Sequence, residues 1–352
     1  MRTPLRIAYV LDPRFPGGTS SAVAAELKVA ARFGRITVHA VEGSMFRGRT
    51  VAPALETAFD DLGIEPVWDA PVISADLVIL HNPAFLKFER QFGARIFCRD
   101  LIAVTHENFE RPGGVEGFDA AKCLALIDRA TLALRKHVAP VSAANRRTLA
   151  GWFARQGAPA GWQVLPDDWF NICAFETLPP TATPADRRGR HSRAGFEKFP
   201  SLEIMDRCFP AHAGANVILG ADGLIAQRLA RPHWTLLPFG AKSVEEYFGM
   251  IDFMVYFTSP AWRESFGRVL AEAMAAGKVV ISDPATAESF GGGVIGAAPD
   301  EVDAIVARHV AEPKLYRAQV ARGQAAMARF SAEAFAAMFG AVADRAGGRA
   351  AA

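Results

Sequence analysis

The chain has 352 residues, of which 51% are hydrophobic and 22% are charged. This composition excludes a disordered or collagen-like protein, and the length exceeds what one hydrophobic core usually organises, so two α/β domains are expected. The net charge is only +2, with 39 Lys and Arg against 37 Asp and Glu, and gives no sign of a nucleic-acid-binding protein.

The four cysteines lie far apart, without the spacing of a zinc site or a disulfide framework. Reduced thiols and a cytoplasmic location are therefore expected. The first apolar run, Ile7–Leu11, is shorter than a signal-peptide core, and no uninterrupted apolar run of about 18 residues follows it. We expect neither secretion nor a membrane-spanning segment.

In the first half of the chain, short apolar runs alternate with stretches of helical periodicity. This β-α alternation predicts a parallel sheet in a Rossmann-like domain over 1–165. The predicted strands are Ile7–Leu11, Ile36–Val41, Leu77–Leu80, Leu101–Thr105 and Val138–Val141. The predicted helices are Ser20–Phe33, Asp119–Lys136 and Ser142–Arg155.

Periodicity then fails where prolines accumulate, which predicts a linker over 166–184. Renewed alternation predicts a second Rossmann-like domain over 185–330, and 331–352 is expected to form a terminal helix, able to return to the first domain, and a tail. The predicted strands are Ala215–Leu219, Thr235–Leu237, Phe253–Tyr256 and Val279–Ser282. The predicted helices are Leu202–Phe209, Ser243–Met250, Gly267–Ala276 and one or two within Pro313–Arg345.

Two acids bracket the start of the helix predicted at about Gly267. The backbone N–H groups of Ser265, Phe266 and Gly267 and the positive end of the helix dipole suit a diphosphate. Glu264 can then accept hydrogen bonds from sugar hydroxyls, and Glu272 from ribose hydroxyls. Both acids also have an ordinary explanation, one favouring the helix start and the other lying in solvent.

The stretch from Glu264 to Glu272, with the apolar run Val279–Ser282 after it, closely resembles the E-x7-E region of retaining glycosyltransferases of GT-B fold, especially glycosyltransferase family 4. The resemblance implies an α/β protein of two facing Rossmann-like domains with parallel sheets, an interdomain cleft and C-terminal helices. It also implies that Glu264 contacts donor-sugar hydroxyls, that Ser265 to Gly267 hold sugar and phosphate, and that Glu272 binds the ribose.

Two further features resemble the same family. Gly17 and Gly18 follow the first predicted strand, where a backbone can approach a donor ligand, although glycine pairs also serve ordinary turns. His106 follows the predicted strand 101–105 and resembles the histidine that faces the donor sugar across the cleft. His81 has a similar placement, and a structural role is the alternative for a lone histidine. The absence of G-x-G-x-x-G removes the main support for hydride transfer.

A basic stretch over 187–198 can neutralise a pyrophosphate leaving group. The resemblance matches Arg190 and Lys198 to the arginine and lysine with this role; their separation is longer than usual, so Arg193 can take either role. A solvated basic loop is the alternative. Phe239 lies in a segment resembling the strand end against which the nucleobase packs, and a core strand is the alternative there.

The resemblance thus implies a retaining, hexosyltransferase-like glycosyltransferase acting in surface-polysaccharide or glycoconjugate assembly. No apolar-flanked D-x-D motif is present, so we expect no metal and no cofactor besides the nucleotide-sugar donor. The alternatives are a nucleotide-sugar epimerase, an inverting transferase or a non-catalytic sugar-nucleotide-binding scaffold. The donor sugar and base, the acceptor and the oligomeric state stay open.

Two segments place aromatic rings beside basic groups, namely 85–92 and 145–155. Such a combination suits peripheral contact with anionic lipid, and burial of the rings in the core is the alternative. A glycan, a lipid-linked saccharide, a small molecule or a protein is expected as the acceptor. No nucleic-acid partner is expected.

Overall fold

The computed structural model describes residues 4–15, 17–195 and 198–348. These divide into two compact units, one running up to Ile172 and resuming at Phe330, the other being Cys173–Arg329. The division falls inside the predicted linker, and the predicted roles of the two domains stay predictions. Residue 16 of the glycine loop, 196 and 197 of the basic stretch and 349–352 of the predicted tail lie outside the described residues.

The first unit is built around a parallel sheet, whose described strands run in the order β3-β2-β1-β5-β6-β7-β8, with β4 beside β6. The strands are β1 (Leu5–Leu11), β2 (Gly34–Ala40), β3 (Val67–Trp68), β4 (Val72–Ser74), β5 (Leu77–His81), β6 (Arg95–Thr105), β7 (Thr131–Pro140) and β8 (Trp162–Val164). The helices are α1 (Gly18–Ala30), α2 (Pro53–Leu62), α3 (Ala120–Ala130), α4 (Ala143–Gln156) and the C-terminal α12 (Ala332–Ala346).

The second unit has a parallel sheet too, whose described strands run in the order β11-β10-β9-β12-β13-β14. The strands are β9 (Arg187–His191), β10 (Ala215–Leu219), β11 (Thr235–Leu237), β12 (Phe253–Tyr256), β13 (Val279–Ser282) and β14 (Ile295–Gly296). The helices are α5 (Leu202–Cys208), α6 (Asp222–Ala226), α7 (Val244–Gly249), α8 (Arg268–Ala275), α9 (Pro284–Ala287), α10 (Val302–Ala311) and α11 (Pro313–Ala326).

The middle strands of both sheets are buried on both faces, which explains their nearly continuous apolar runs. Every residue of β5 and of β12 is buried. The strands predicted over 215–219, 235–237, 253–256 and 279–282 are confirmed to the residue. An apolar run of three to five residues, bounded by turn residues, is sufficient to locate such a strand.

The helix predicted over Asp119–Lys136 was wrong in its second half. Asp119 caps α3 by accepting a hydrogen bond from the backbone N–H of Lys122, but the helix ends at Ala130 and β7 begins at Thr131 without a turn. Leu132 and Leu134 are 71% and 75% exposed. Their apolar spacing therefore does not mark a buried helix face.

Strand β9, in the middle of the second sheet, was not predicted from the sequence. Its arginines make the strand resemble a solvated loop in the sequence. Arg188 is buried, and it forms ion pairs with Asp186 at 2.6 Å and with Asp303 at 2.7 Å. Arg187 pairs with Asp252 at 2.8 Å. Because these carboxylates neutralise the cations, a basic sequence forms a core strand, and a solvated loop is the wrong description of 187–191.

The C-terminal segment Pro313–Ala346 is long and apolar enough to cross a membrane by length and composition. It consists of separate helices, divided by a 3-10 turn at Met327–Phe330, and each buries apolar side chains inside its own unit. The rings of Phe335 and Phe339 pack against Trp169, with centroids 5.5 and 5.7 Å away. These contacts fix α12 in the core of the first unit.

Candidate active site

The strand order of the second unit reverses between β9 and β12, which are neighbours in the sheet. In open parallel sheets, ligands bind at such a reversal, outside the carboxyl ends of the strands. The segment after β9 carries Arg193 and Lys198, and the segment after β12 carries Glu264. The topology therefore brings three residues that the sequence singled out to the edge of the sheet where a ligand is expected.

Lys198 and Glu264 meet directly at this edge. The Nζ atom of Lys198 lies 3.2 Å from Oε2 of Glu264, and the hydroxyl of Tyr256 donates a hydrogen bond to the same oxygen at 2.9 Å. Burial acts to raise the pKa of Glu264, but the charge of Lys198 and the hydrogen bonds outweigh it and lower the pKa. Glu264 is therefore a carboxylate at neutral pH, and its Oε1 atom has no partner among the described residues.

Arg190, predicted to contact the diphosphate, is fully buried. Its guanidinium donates to the carbonyl oxygen of Lys198 and to the hydroxyl of Ser192, both at 2.9 Å. It also lies over the rings of Phe199 and Tyr256, at 4.1 and 4.9 Å from their centroids. Arg190 therefore fixes the backbone that carries Lys198, and its predicted contact with the diphosphate stays a prediction.

Arg193 is exposed and lies close enough to Glu264 for its charge to help lower the pKa of that carboxyl group. The loop that carries it passes tightly over the end of β10. Gly220 has a φ of +82°, and a Cβ atom there would collide with the carbonyl oxygen of Ser192. Gly220 therefore permits the path of the Arg193 loop, a role that the sequence analysis missed because a lone glycine after a strand is common.

Gly267 precedes the first residue of α8 and has a φ of +89°. A side chain there would be strained, and a Cβ atom would lie 3.1 Å from Leu270 Cδ1 and 3.4 Å from Phe290. Phe266 is buried against the ring of Phe290, with centroids 6.0 Å apart, whereas Ser265 is half-buried. The segment therefore holds a helix N-terminus in a fixed position.

Glu272 lies in the second turn of α8, with 17% of its side chain exposed. Its Oε1 atom is 3.4 Å from Nε of Arg268, whose guanidinium lies over the ring of Phe175. Burial raises the pKa of Glu272, and the charge of Arg268 only partly offsets this effect. The two predicted acids therefore have opposite pKa shifts, because Glu264 has close donors and a cation while Glu272 has one longer ion pair.

Phe239 lies just beyond the end of β11 and is 56% exposed. Its backbone N–H donates to Oδ2 of Asp222 at 2.8 Å, which fixes the turn. An exposed ring at a strand end is available for stacking on a flat ligand.

In the first unit the strand order reverses between β1 and β5. Gly17 follows β1, has a φ of +98°, and is exposed next to Gly18 at the start of α1. His81 is the last residue of β5, and His106 follows β6. The predicted residues of this unit therefore also lie at carboxyl ends of strands near a reversal.

His81 and His106 are in direct contact, since Nδ1 of His81 lies 3.0 Å from Nε2 of His106. His81 is buried, whereas His106 is partly exposed. Burial lowers the pKa of His106, and the neighbouring His81 lowers it further. His106 is therefore a neutral imidazole at neutral pH.

Other sequence expectations have mixed outcomes. All four cysteines are free thiols, and burial raises the pKa of each to about 12. In the segments considered for lipid contact, Phe85, Phe92 and Trp152 are buried and Phe88 is exposed. Within the described residues, no three His, Cys, Asp or Glu side chains are grouped as metal ligands. Location, membrane contact and metal independence stay predictions.

No protein-family model and no curated protein matches the sequence. Solved structures do match its fold. HepE (Alr3699) of Anabaena in complex with UDP and glucose is 15% identical, with 96% of this chain and 99% of that chain covered and a TM-score of 0.65. A glycosyltransferase of Rickettsia africae ESF-5 is 12% identical, with 98% of this chain and 99% of that chain covered and a TM-score of 0.60. An alpha-glucosyltransferase in complex with UDP-glucose and DNA containing an abasic site is 10% identical, with 97% of this chain and 99% of that chain covered and a TM-score of 0.57.

At such identities the likeness establishes the fold. This chain has the α/β fold of the GT-B glycosyltransferases, with two Rossmann-like units, each around a parallel sheet, as predicted. The nucleotide, sugar and DNA in those structures are ligands of those proteins, and a shared fold does not assign them to this one. The narrower resemblance to glycosyltransferase family 4 stays a prediction.

Proposed function

We propose that this protein is a glycosyltransferase that moves a sugar from a nucleotide-diphosphate sugar to an acceptor hydroxyl. The observation that carries the proposal is the contact of Lys198 with Glu264 at the strand reversal of the second unit, with Gly267 at the start of α8 close along the chain. A cation, a carboxylate and a helix N-terminus together suit a ligand with both diphosphate and hydroxyl groups. The shared fold with glycosyltransferases solved with UDP or UDP-glucose supports the same function.

Each residue then has a definite role. Glycosyl transfer passes through an oxocarbenium-like species, and the departing diphosphate must be stabilised as its charge develops. Arg193, Lys198 and the N-terminus of α8 supply positive charge to the diphosphate. Glu264 accepts hydrogen bonds from sugar hydroxyls through Oε1. Glu272 contacts the ribose, and Phe239 contacts the base.

We further propose retention of the anomeric configuration. The resemblance of Glu264–Glu272 to the E-x7-E region of retaining enzymes supports this, and Glu264 then orients the sugar through Oε1. The leaving phosphate then accepts the proton of the acceptor hydroxyl on the same face of the sugar. Proton NMR of the product from an α-linked donor tests this: an α-linked product supports retention, and a β-linked product overturns it.

Metal-independent transfer is part of the proposal, because the charges that face the diphosphate come from Arg193, Lys198 and the helix. Full activity in excess chelator is expected. Loss of activity that magnesium or manganese restores would contradict it.

For the acceptor, we propose a saccharide hydroxyl used in surface-polysaccharide or glycoconjugate assembly in the cytoplasm. A screen with a labelled donor compares free sugars, lipid-linked saccharides, small metabolites and proteins. DNA is included because one structure of similar fold contains it. A protein that binds a nucleotide sugar but never transfers or hydrolyses it would instead be a non-catalytic scaffold.

A further inference from the structure

Glu26, on α1, is a buried carboxylate of the first unit that the proposed mechanism does not use. Its Oε1 atom accepts a hydrogen bond from the hydroxyl of Tyr9 at 2.9 Å, and its Oε2 atom accepts one from Nε1 of Trp169 at 2.8 Å. Burial and the nearby carboxylate raise the pKa of Tyr9 well above its usual range, so its hydroxyl stays a donor. Glu26 is therefore held as an acceptor by both of its oxygens.

The carboxylate continues into the histidine pair. Nε2 of His81 lies 3.3 Å from Oε1 of Glu26, a close ionic approach without hydrogen-bond geometry. The ring of His81 also stacks on Tyr9, with an interplanar angle of 8°. A buried series of side-chain contacts thus runs from Glu26 through His81 to His106, and the His106 ring keeps part of its surface exposed.

The charge of Glu26 decides which ring nitrogens of His81 and His106 carry protons. A neutral imidazole carries one N–H and one lone pair, and two charged rings 3.0 Å apart would repel strongly. If the proton of His81 were on Nδ1, the lone pair on Nε2 would face the carboxylate of Glu26. In a His81 ring with one proton, that proton is therefore favoured on Nε2, and Nδ1 of His81 becomes the acceptor of the contact with His106.

It follows that His106 donates from Nε2 and keeps its lone pair on Nδ1. We infer that Glu26 and His81 hold His106 in the Nε2–H tautomer, so that its Nδ1 atom accepts a hydrogen bond from a hydroxyl group of the bound substrate. Nδ1 of His106 has no partner among the described residues. The inference rests on the proposed function for the substrate and assigns His81 as a positioning residue.

The tautomer can be measured without substrate. Long-range ¹H–¹⁵N NMR of protein labelled with ¹⁵N-histidine distinguishes the two nitrogens of each neutral ring, and the variants His81→Asn and His106→Asn assign the signals. The inference predicts that His106 carries its proton on Nε2 at neutral pH. A ring protonated on Nδ1 would overturn it.

The variant Glu26→Gln removes the charge that sets the tautomer. His106 is then expected to populate the Nδ1–H form, and kcat/KM is expected to fall about tenfold, as for the loss of one neutral hydrogen bond. Tyr9→Phe is the matched control, because it removes a donor to the same carboxylate but keeps its charge, and His106 should keep the Nε2–H form. An unchanged tautomer in Glu26→Gln would contradict the inference.

If Glu26→Gln does not fold, His81→Phe tests the same point, since His106 loses its acceptor and should become a mixture of tautomers. The two proposals fail separately. An Nδ1–H ring in the wild type contradicts the positioning role even if donors bind. Failure of every nucleotide sugar to bind contradicts the proposed function whatever the tautomer is.

Discussion

Lys198 Nζ lies 3.2 Å from Oε2 of Glu264, in an ion pair whose side chains are both only 13% exposed. A hydrogen bond to a buried charge contributes about 1.5–3 kcal/mol, so Glu264→Gln should lower kcat/KM for the nucleotide sugar by about 10- to 100-fold. Steady-state kinetics with the preferred donor measures this. Glu203→Gln, at an exposed position of α5, is the control and should keep wild-type kinetics. Equal rates for Glu264→Gln and wild type would exclude the sugar-binding role.

Substitutions at Arg190 and Arg193 should have different effects, the first on the free energy of unfolding and the second on nucleoside-diphosphate binding. Arg190→Ala removes a fully buried guanidinium with hydrogen bonds to Ser192 and Lys198, and should lower the free energy of unfolding by about 2–4 kcal/mol. Arg193→Ala should change it by less than about 0.5 kcal/mol and weaken nucleoside-diphosphate binding about 10- to 100-fold. Urea unfolding and titration calorimetry measure the two effects. The reverse pattern would favour Arg190 as the diphosphate ligand.

Gly267→Ala should both destabilise the protein and weaken diphosphate binding. A left-handed backbone costs a residue with a Cβ atom about 1–2 kcal/mol, and the new methyl group would crowd Leu270. Gly249→Ala is the matched control, because no atom lies within 4 Å of its added Cβ, and it should be neutral or stabilise by up to about 1 kcal/mol. Thermal unfolding with and without nucleotide compares them. Equal behaviour of the two variants would be evidence against a required left-handed turn at Gly267.

The opposite pKa shifts of Glu264 and Glu272 predict opposite effects of pH on stability. The pKa of Glu272 is raised in the folded state, so its contribution to stability falls as pH rises from the usual glutamate range through the folded pKa. Glu272→Gln should therefore stabilise the protein at neutral pH, and the gain should vanish below the unfolded pKa.

The pKa of Glu264 is lowered, so its contribution is present above the unfolded pKa and is lost as pH falls through the folded one. Glu264→Gln should destabilise the protein at neutral pH, and the difference should shrink in acid. Urea titrations of both variants across this range check the signs. Shifts of the same sign for both would show that the environments of the two acids are alike.

The strands of the second unit could be predicted wherever burial and apolar sequence coincide, as at Phe253–Tyr256. The prediction failed at Arg187–His191 because ion pairs with Asp252, Asp186 and Asp303 allow arginines in a core strand, and two of those carboxylates, Asp252 and Asp303, are distant in sequence. The boundary between α3 and β7 was missed because no turn residue separates Ala130 from Thr131.

The candidate site shows the same limit. The spacing of Glu264, Gly267 and Glu272 identifies a helix start with flanking acids, and the structure has this helix at Arg268–Ala275. Spacing cannot tell a buried arginine from an exposed one, so Arg190 and Arg193 were left as alternatives. The contact of Glu26 with His81 joins residues 55 positions apart in sequence, which no local pattern records.

The most direct test is release of nucleoside diphosphate from a panel of nucleotide sugars, with the wild type and Glu264→Gln measured side by side. The account predicts that the wild type turns over at least one member of the panel, and that the folded variant does so at least about tenfold more slowly. A wild-type protein that neither binds nor turns over any nucleotide sugar would contradict it.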